Sequence, residues 1–206
     1  MRLDKYFKDF HKVLWECLED EGHQRAIAQA ITILKDTKKA KSKIILIGNG
    51  GSSAIAEHMA IDLTKNAGLE AITVSGSPML TTFSNDYGYE RVFQKAIQVF
   101  GREHDVLIAI SSSGTSKNIL NACREAKAKE MKIITLSGFT KDNALRTKGD
   151  VNIWVNSRAF GYVELIHNLI LHYINDAIIG SAEYMIRDFV EAKLEDLSLD
   201  AVDLKR

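Results

Sequence analysis

Lys43-Ile44-Ile45-Leu46-Ile47-Gly48-Asn49-Gly50-Gly51-Ser52-Ser53 decides the fold. Four consecutive apolar residues between Lys43 and Gly48 read as a strand buried on both faces, because a half-buried strand would alternate. The glycine-rich turn leads directly into a helical stretch, Ser53–Asn66. Strand, tight turn and helix make the first half of a βαβ unit. Similar apolar runs follow at Ala71–Val74, Val106–Ile110, Lys132–Leu136 and Val151–Val155. Helical stretches at Tyr89–Phe100, Ser116–Lys129 and a short one near Asn143–Lys148 separate the later runs. Alternation of this kind predicts an α/β fold with a five-stranded parallel sheet, joined by right-handed crossovers. The flavodoxin-like order 2-1-3-4-5 is expected, with the first and third strands as neighbours.

Outside this core, residues 4–20 place Phe7, Phe10, Val13/Leu14 and Cys17/Leu18 at helical spacing. Residues 23–38 repeat the pattern with Ile27, Ile31 and Leu34, and Gly22 lies between the two. An N-terminal helical hairpin over residues 1–40 is expected. It either covers the sheet or also forms a subunit interface. The chain closes with an apolar helix from about Gly161 to Ile179 and a more polar one from Ala182 to about Leu197. The 206 residues are expected to form a single domain.

Charge is balanced, with 27 Lys+Arg against 27 Asp+Glu. That gives no reason to expect nucleic acid or an acidic membrane as partner. No apolar run approaches the roughly 18–20 residues that span a bilayer. Met1–Phe10 lacks an apolar signal core, and Cys17 and Cys123 form no C-x-x-C pair. Both point to a reduced, cytoplasmic protein.

A second loop, Ser111-Ser112-Ser113-Gly114-Thr115-Ser116, stands after the third strand as the first stands after strand one. In an open parallel sheet, ligands bind beyond the carboxyl ends of the strands where the order reverses. The order 2-1-3-4-5 puts both loops at that crevice. Their chemistry suits an anion: glycine admits close backbone approach, helix N-termini offer free N–H groups, and the serines add hydroxyl donors. Candidate ligand contacts are Asn49, Gly50, Gly51, Ser52, Ser111, Ser112, Ser113 and Ser116. Neither loop is a G-x-x-x-x-G-K-[ST] phosphate loop, and Ser53 breaks the dinucleotide pattern G-x-G-x-x-G. Helix caps and tight turns are the plain alternative for either loop taken singly.

His58 and Asp62 lie one turn apart on the helix leaving the first loop, a spacing that suits a metal pair or a surface His–Asp pair. Glu164, His167 and His172 interrupt an otherwise apolar late helix and need partners there. Glu164 and His172 are separated by roughly 12 Å of helical rise, too far to meet at one metal within one straight helix. Asn85 and Asp86 are expected near the crevice, as sugar-hydroxyl partners or as turn residues before Gly88. His11, His23 and His104 read as surface or packing residues.

These pieces together resemble a known family. The loops, with Asn85-Asp86-Tyr87-Gly88 between them, the His58 helix and the Glu164–His172 helix are similar to those of sugar isomerase (SIS) domains. More closely, the chain resembles bacterial phosphoheptose isomerases. The resemblance implies a five-stranded parallel sheet and a homotetramer with active sites at subunit interfaces. It also implies conversion of sedoheptulose 7-phosphate to D-glycero-D-manno-heptose 7-phosphate, for surface glycans such as lipopolysaccharide. One zinc per subunit is implied, with His58, Asp62, Glu164 and His172 at the ligand positions. Asp62 and His172 are implied as the catalytic acid/base pair, with His167 in reserve. Asp62, Asn85, Asp86 and Glu164 are also implied to contact substrate. Two positions depart from the family: Asp62 stands for its glutamate, and Glu164 for its glutamine. The alternatives are a non-catalytic SIS module, acting as a sugar-phosphate sensor or binding a replication initiator, and an isomerase of a different sugar phosphate.

Overall fold

The computed structural model describes residues 2–183. Five strands form one sheet: β1 (Lys43–Ile47), β2 (Glu70–Thr73), β3 (Val106–Ser111), β4 (Lys132–Ser137) and β5 (Val151–Trp154). All neighbours pair in parallel, in the order β2-β1-β3-β4-β5, as the sequence predicts. The helices are α1 (Leu3–Glu19), α2 (Glu21–Ala40), α3 (Gly51–Lys65), α4 (Ser77–Tyr87), α5 (Val92–Phe100), α6 (Lys117–Ala128) and α7 (Phe160–Ile179).

Strand alternation builds two cores. Ile44 and Leu46 of β1 and Ile108 and Ile110 of β3 face α2, α3 and α7. Ile45, Ile47, Leu107 and Ala109 face α5 and α6, through Phe93, Ile97, Ile119 and Cys123. At the end of the sheet opposite the loops, Asp105 accepts from the backbone N–H groups of Lys43 (3.0 Å) and Arg102 (2.8 Å) and pairs with the Lys43 ammonium. This buried pair ties the starts of β1 and β3 together, so their far ends and the loops beyond them are held in register.

Three points differ from the sequence reading. The hairpin breaks at Asp20 rather than Gly22, because the Asp20 carboxylate accepts from the His23 N–H (2.8 Å) and caps α2. Residues 89–100 divide into a short 3-10 turn, Tyr89–Arg91, and α5. A helix was not expected at α4; no residue of it is fully buried, although Met79, Leu80 and Phe83 pack against the α5/α6 core. Pro78 in its first turn fits a helix start. The helix expected over Ala182–Leu197 lies, from residue 184 on, outside the described residues.

Histidine 23 packs as expected. Its Nδ1 donates to the Cys17 carbonyl (3.0 Å) and its Nε2 accepts from the Trp154 N–H (3.4 Å), joining the helix hairpin to the edge strand β5.

Candidate active site at the β1/β3 switch point and the α3/α7 cleft

The first loop turns sharply because Gly48 lies against the backbone of Ser52 and Ser53, where any Cβ would clash. The turn launches α3 from Gly51, leaving Gly50 and Gly51 exposed at the helix N-terminus and Ser52 buried. The second loop is folded by its own serines. Ser111 accepts from the Gly114 N–H through its carbonyl (3.0 Å) and hydroxyl (3.2 Å). The Ser113 hydroxyl accepts from the N–H (3.3 Å) and hydroxyl (3.1 Å) of Thr115. Gly114 has φ of 65°, and the Asn143 amide occupies the space a Cβ would need. Asn143 in turn donates to Gly138 (3.0 Å) and Thr140 (2.8 Å) carbonyls, so the loop after β4 braces this one from behind. Ser113 and Ser116 remain half-buried and available; Ser112 is buried, and its hydroxyl has no partner among the described residues.

A reciprocal amide pair links the two loops. Asn49 Nδ2 donates to Asn118 Oδ1 (3.0 Å), and Asn118 Nδ2 donates to Asn49 Oδ1 (2.9 Å). The Tyr89 hydroxyl also donates to Asn49 Oδ1 (2.8 Å). Neither Asn118 nor Tyr89 was singled out from sequence, though an asparagine beside Ile119 and Leu120 at the start of α6 is a polar residue in an apolar setting. Asn85 and Asp86 lie exposed in the last turn of α4, where the Asn85 amide donates to Asp86 (2.9 Å).

On the other side of α3, α7 packs alongside, running in the same direction. Glu164, Asn168 and His172 stand at four-residue intervals on α7 and meet successive parts of α3. The Glu164 carboxylate lies against Gly51, at the positive end of α3. Two turns further on, Asp62 Oδ2 lies 3.4 Å from His58 Nε2 and 3.7 Å from His172 Nδ1. The His58 and His172 rings meet edge to face at 5.0 Å. The structure therefore brings together His58, Asp62 and His172 and leaves Glu164 out of that group. The rise along α7 is the reason: Glu164 serves the start of α3 and His172 its later turns. A cleft of about 430 Å³ between the helices is lined by Gly51, His58, Glu164, Leu165 and Asn168, among others. Asn168 was missed from sequence; its Oδ1 is buried without a hydrogen-bond partner among the described residues.

His167 sits elsewhere. It is buried on the sheet-facing side of α7, where Nε2 donates to the Ser137 carbonyl (3.0 Å). Burial pushes its pKa down to about 4, partly countered by that hydrogen bond. It is a neutral core histidine, and the reserve acid/base role does not suit its place.

The donor set around Asp62 fits a zinc-type ion. Its ligand atoms lie within 4.8 Å of one another. Tetrahedral zinc with bonds of about 2.0–2.1 Å holds its ligand atoms roughly 3.3 Å apart, close to the 3.4 and 3.7 Å separations of Asp62 from His58 and His172. Two imidazoles and a carboxylate are the ligand types such an ion takes.

The SIS domain profile matches residues 5–138. The phosphoheptose isomerase of Helicobacter pylori is 38% identical over 164 residues, covering 77% of this chain and 85% of that protein. That of Yersinia pestis is 39% identical over 165 residues, covering 76% and 84%. This chain belongs to the phosphoheptose isomerase family of SIS-domain proteins. The solved phosphoheptose isomerase of Francisella tularensis superposes with a TM-score of 0.80 at 31% identity, covering 87% of this chain and 97% of that one. The Neisseria gonorrhoeae enzyme gives 0.79 at 29%, covering 86% and 97%. Among the described residues no helix is long and apolar enough to cross a membrane.

Proposed function

We propose that this protein is a cytoplasmic sugar-phosphate isomerase converting sedoheptulose 7-phosphate to D-glycero-D-manno-heptose 7-phosphate. The observation that carries the reading is the meeting of His58, Asp62 and His172 beside a glycine-rich loop, in a chain whose relatives are phosphoheptose isomerases. A cluster of acid/base and ligand groups favours catalysis over the sensor or initiator-binding reading. Buried free thiols at Cys17 and Cys123 suit a reducing compartment.

Substrate phosphate is seated at the second loop. Ser113 and Ser116 offer hydroxyls there, and α6 offers its positive end. The start of α3 is less suited to a phosphate, because Glu164 already places a carboxylate against it. Asn49, Gly50 and Gly51 close the crevice around the sugar, with Asn85 and Asp86 at its rim. The reaction takes a proton from C1 of the ketose and returns it to C2, while a second proton moves from the C1 hydroxyl to the C2 oxygen. Asp62 carries the carbon-bound proton, and His172 exchanges the oxygen-bound one. Zinc, held by His58, Asp62 and His172, would polarise the reacting oxygens.

The chain is further proposed to be one SIS domain that assembles as a homotetramer. Support comes from large apolar side chains left exposed: Leu3, Phe7 and Trp15 on α1, and Leu165, Leu169 and Tyr173 on α7. Leu165 also lines the α3/α7 cleft, so a second copy on this face would cover the site.

Incubation with sedoheptulose 7-phosphate tests the reading. Turnover is expected, lost on chelation and restored by zinc. No turnover under any metal condition would overturn it.

A further inference from the structure

We infer that Asn118 and Tyr89 are positioning residues that fix the orientation of the Asn49 amide and so decide which group the first loop presents to substrate. The inference rests on the reading of the crevice as a sugar-phosphate site.

The argument follows donors and acceptors in turn. The backbone N–H of Ile119 donates to Asn118 Oδ1 (3.0 Å). A backbone N–H can only donate, so the Asn118 oxygen must lie on that side. Its Nδ2 is thereby turned toward Asn49 and donates to Asn49 Oδ1 (2.9 Å). The Tyr89 hydroxyl donates to the same oxygen (2.8 Å), which fills both of its lone pairs. One N–H of Asn49 then returns a bond to Asn118 Oδ1 (3.0 Å). The other is left without a protein partner among the described residues. What Asn49 has left to offer a ligand is therefore a hydrogen-bond donor, not an acceptor. Phosphate and hydroxyl oxygens of a sugar phosphate need donors, and an amide turned the other way would oppose them with a carbonyl oxygen.

Both positioning residues are themselves held. Asn118 is buried, with 3% of its surface exposed. The Asn121 amide of the next helical turn donates to the Glu90 carbonyl (2.8 Å), fixing the 3-10 turn that carries Tyr89. The crevice at the β1/β3 switch point is thus closed by a network that reaches from α6 through Asn49 to the segment between α4 and α5. Apart from the Asn49 N–H left for a ligand, the oxygens and nitrogens of the network are bonded to one another or to backbone, and such bonding rigidifies a site.

A double-mutant cycle with Tyr89→Phe and Asn49→Ala tests this, because Tyr89→Phe removes one hydroxyl and keeps the ring. With sedoheptulose 7-phosphate as substrate, Tyr89→Phe is expected to raise KM about 3- to 10-fold, the worth of one hydrogen bond, with kcat and Tm close to wild type. In the Asn49→Ala background the same change is expected to leave KM unaltered. An unchanged KM in the single variant overturns the inference. Equal effects in both backgrounds also overturn it, since Tyr89 would then touch substrate itself. The substrate-free protein supplies a reading independent of turnover. In 15N-labelled protein, one side-chain amide proton of Asn49 is expected to exchange slowly and the other fast, with both resonances shifted by Tyr89→Phe. Resonances unmoved by that change overturn the inference even if the heptose phosphate proves not to be the substrate. Lack of wild-type turnover with the expected amide shifts overturns only the functional reading.

Discussion

Asp62 is the residue on which the proposed chemistry turns, because its Oδ2 faces both His58 and His172. Asp62→Asn keeps the shape and removes the proton-carrying charge. Its kcat is expected to fall by about 100-fold or more, with little change in thermal stability; a variant at wild-type rate would remove Asp62 from the acid/base role. His167, one and a half turns from His172, has a different consequence. Its folded pKa of about 4 lies below the ordinary 6.5. As pH falls from 6.5, the unfolded chain takes up a proton that the native chain refuses. Stability contributed by the neutral imidazole is therefore complete above pH 6.5 and lost progressively toward pH 4, by an amount on the order of 3 kcal/mol. Urea unfolding at pH 7.5, 6 and 5 is expected to show this loss in the wild type and a smaller one in His167→Asn. Equal slopes would assign the pH dependence to other groups. Periodicity alone could not sort the two histidines of α7, since both interrupt the same apolar pattern; the family resemblance put His172 first and His167 in reserve.

At the scale of elements, α7 breaks the simple expectation for an amphipathic helix at particular positions on both faces. His167 and Asn175 are buried, while Leu165, Leu169 and Tyr173 are exposed. The apolar pattern marks a helix but not which stripe meets the sheet. The pairing of α7 with α3 also holds Glu164 apart from His172, against the start of α3 rather than beside Asp62. Glu164→Gln removes a carboxylate from the positive end of α3. A stability loss of about 0.3–1 kcal/mol is expected in urea unfolding, together with a lower KM for the anionic substrate as the negative charge disappears. A KM that rises instead would make the Glu164 carboxylate a substrate contact that the charge argument misses.

The whole molecule presents an apolar surface along α1 and α7 that a lone copy leaves in water. Leu169→Glu and Tyr173→Glu place charge on that surface without touching either core. Light scattering is expected to show a shift from tetramer to smaller species, with activity falling alongside. A tetramer that persists in both variants would place the interface elsewhere.

The sequence by itself determined the sheet and its loops. Buried parallel strands must be apolar throughout, and close backbone turns must use glycine, so Ile44–Ile47 and Gly48 are readable without neighbours. Alternation with helices made the pairing parallel but does not fix the strand order; the expected order 2-1-3-4-5 is the one the structure shows, and it sets the two loops side by side after β1 and β3. Helix α4 was not legible, because half-buried Met79, Leu80 and Phe83 on a Ser/Thr-rich segment give only a faint period. The resemblance named His58, Asp62 and His172 together, but only the tertiary structure shows that they meet. His58 and Asp62 are more than a hundred residues from His172, and periodicity fixes the face of a helix but not the neighbour that face meets. Their meeting, the exclusion of Glu164 and the burial of His167 all follow from how α7 lies along α3. The Asn49–Asn118–Tyr89 network was hidden for the same reason: three polar residues from separate segments share hydrogen bonds only after the parallel sheet has set their loops side by side.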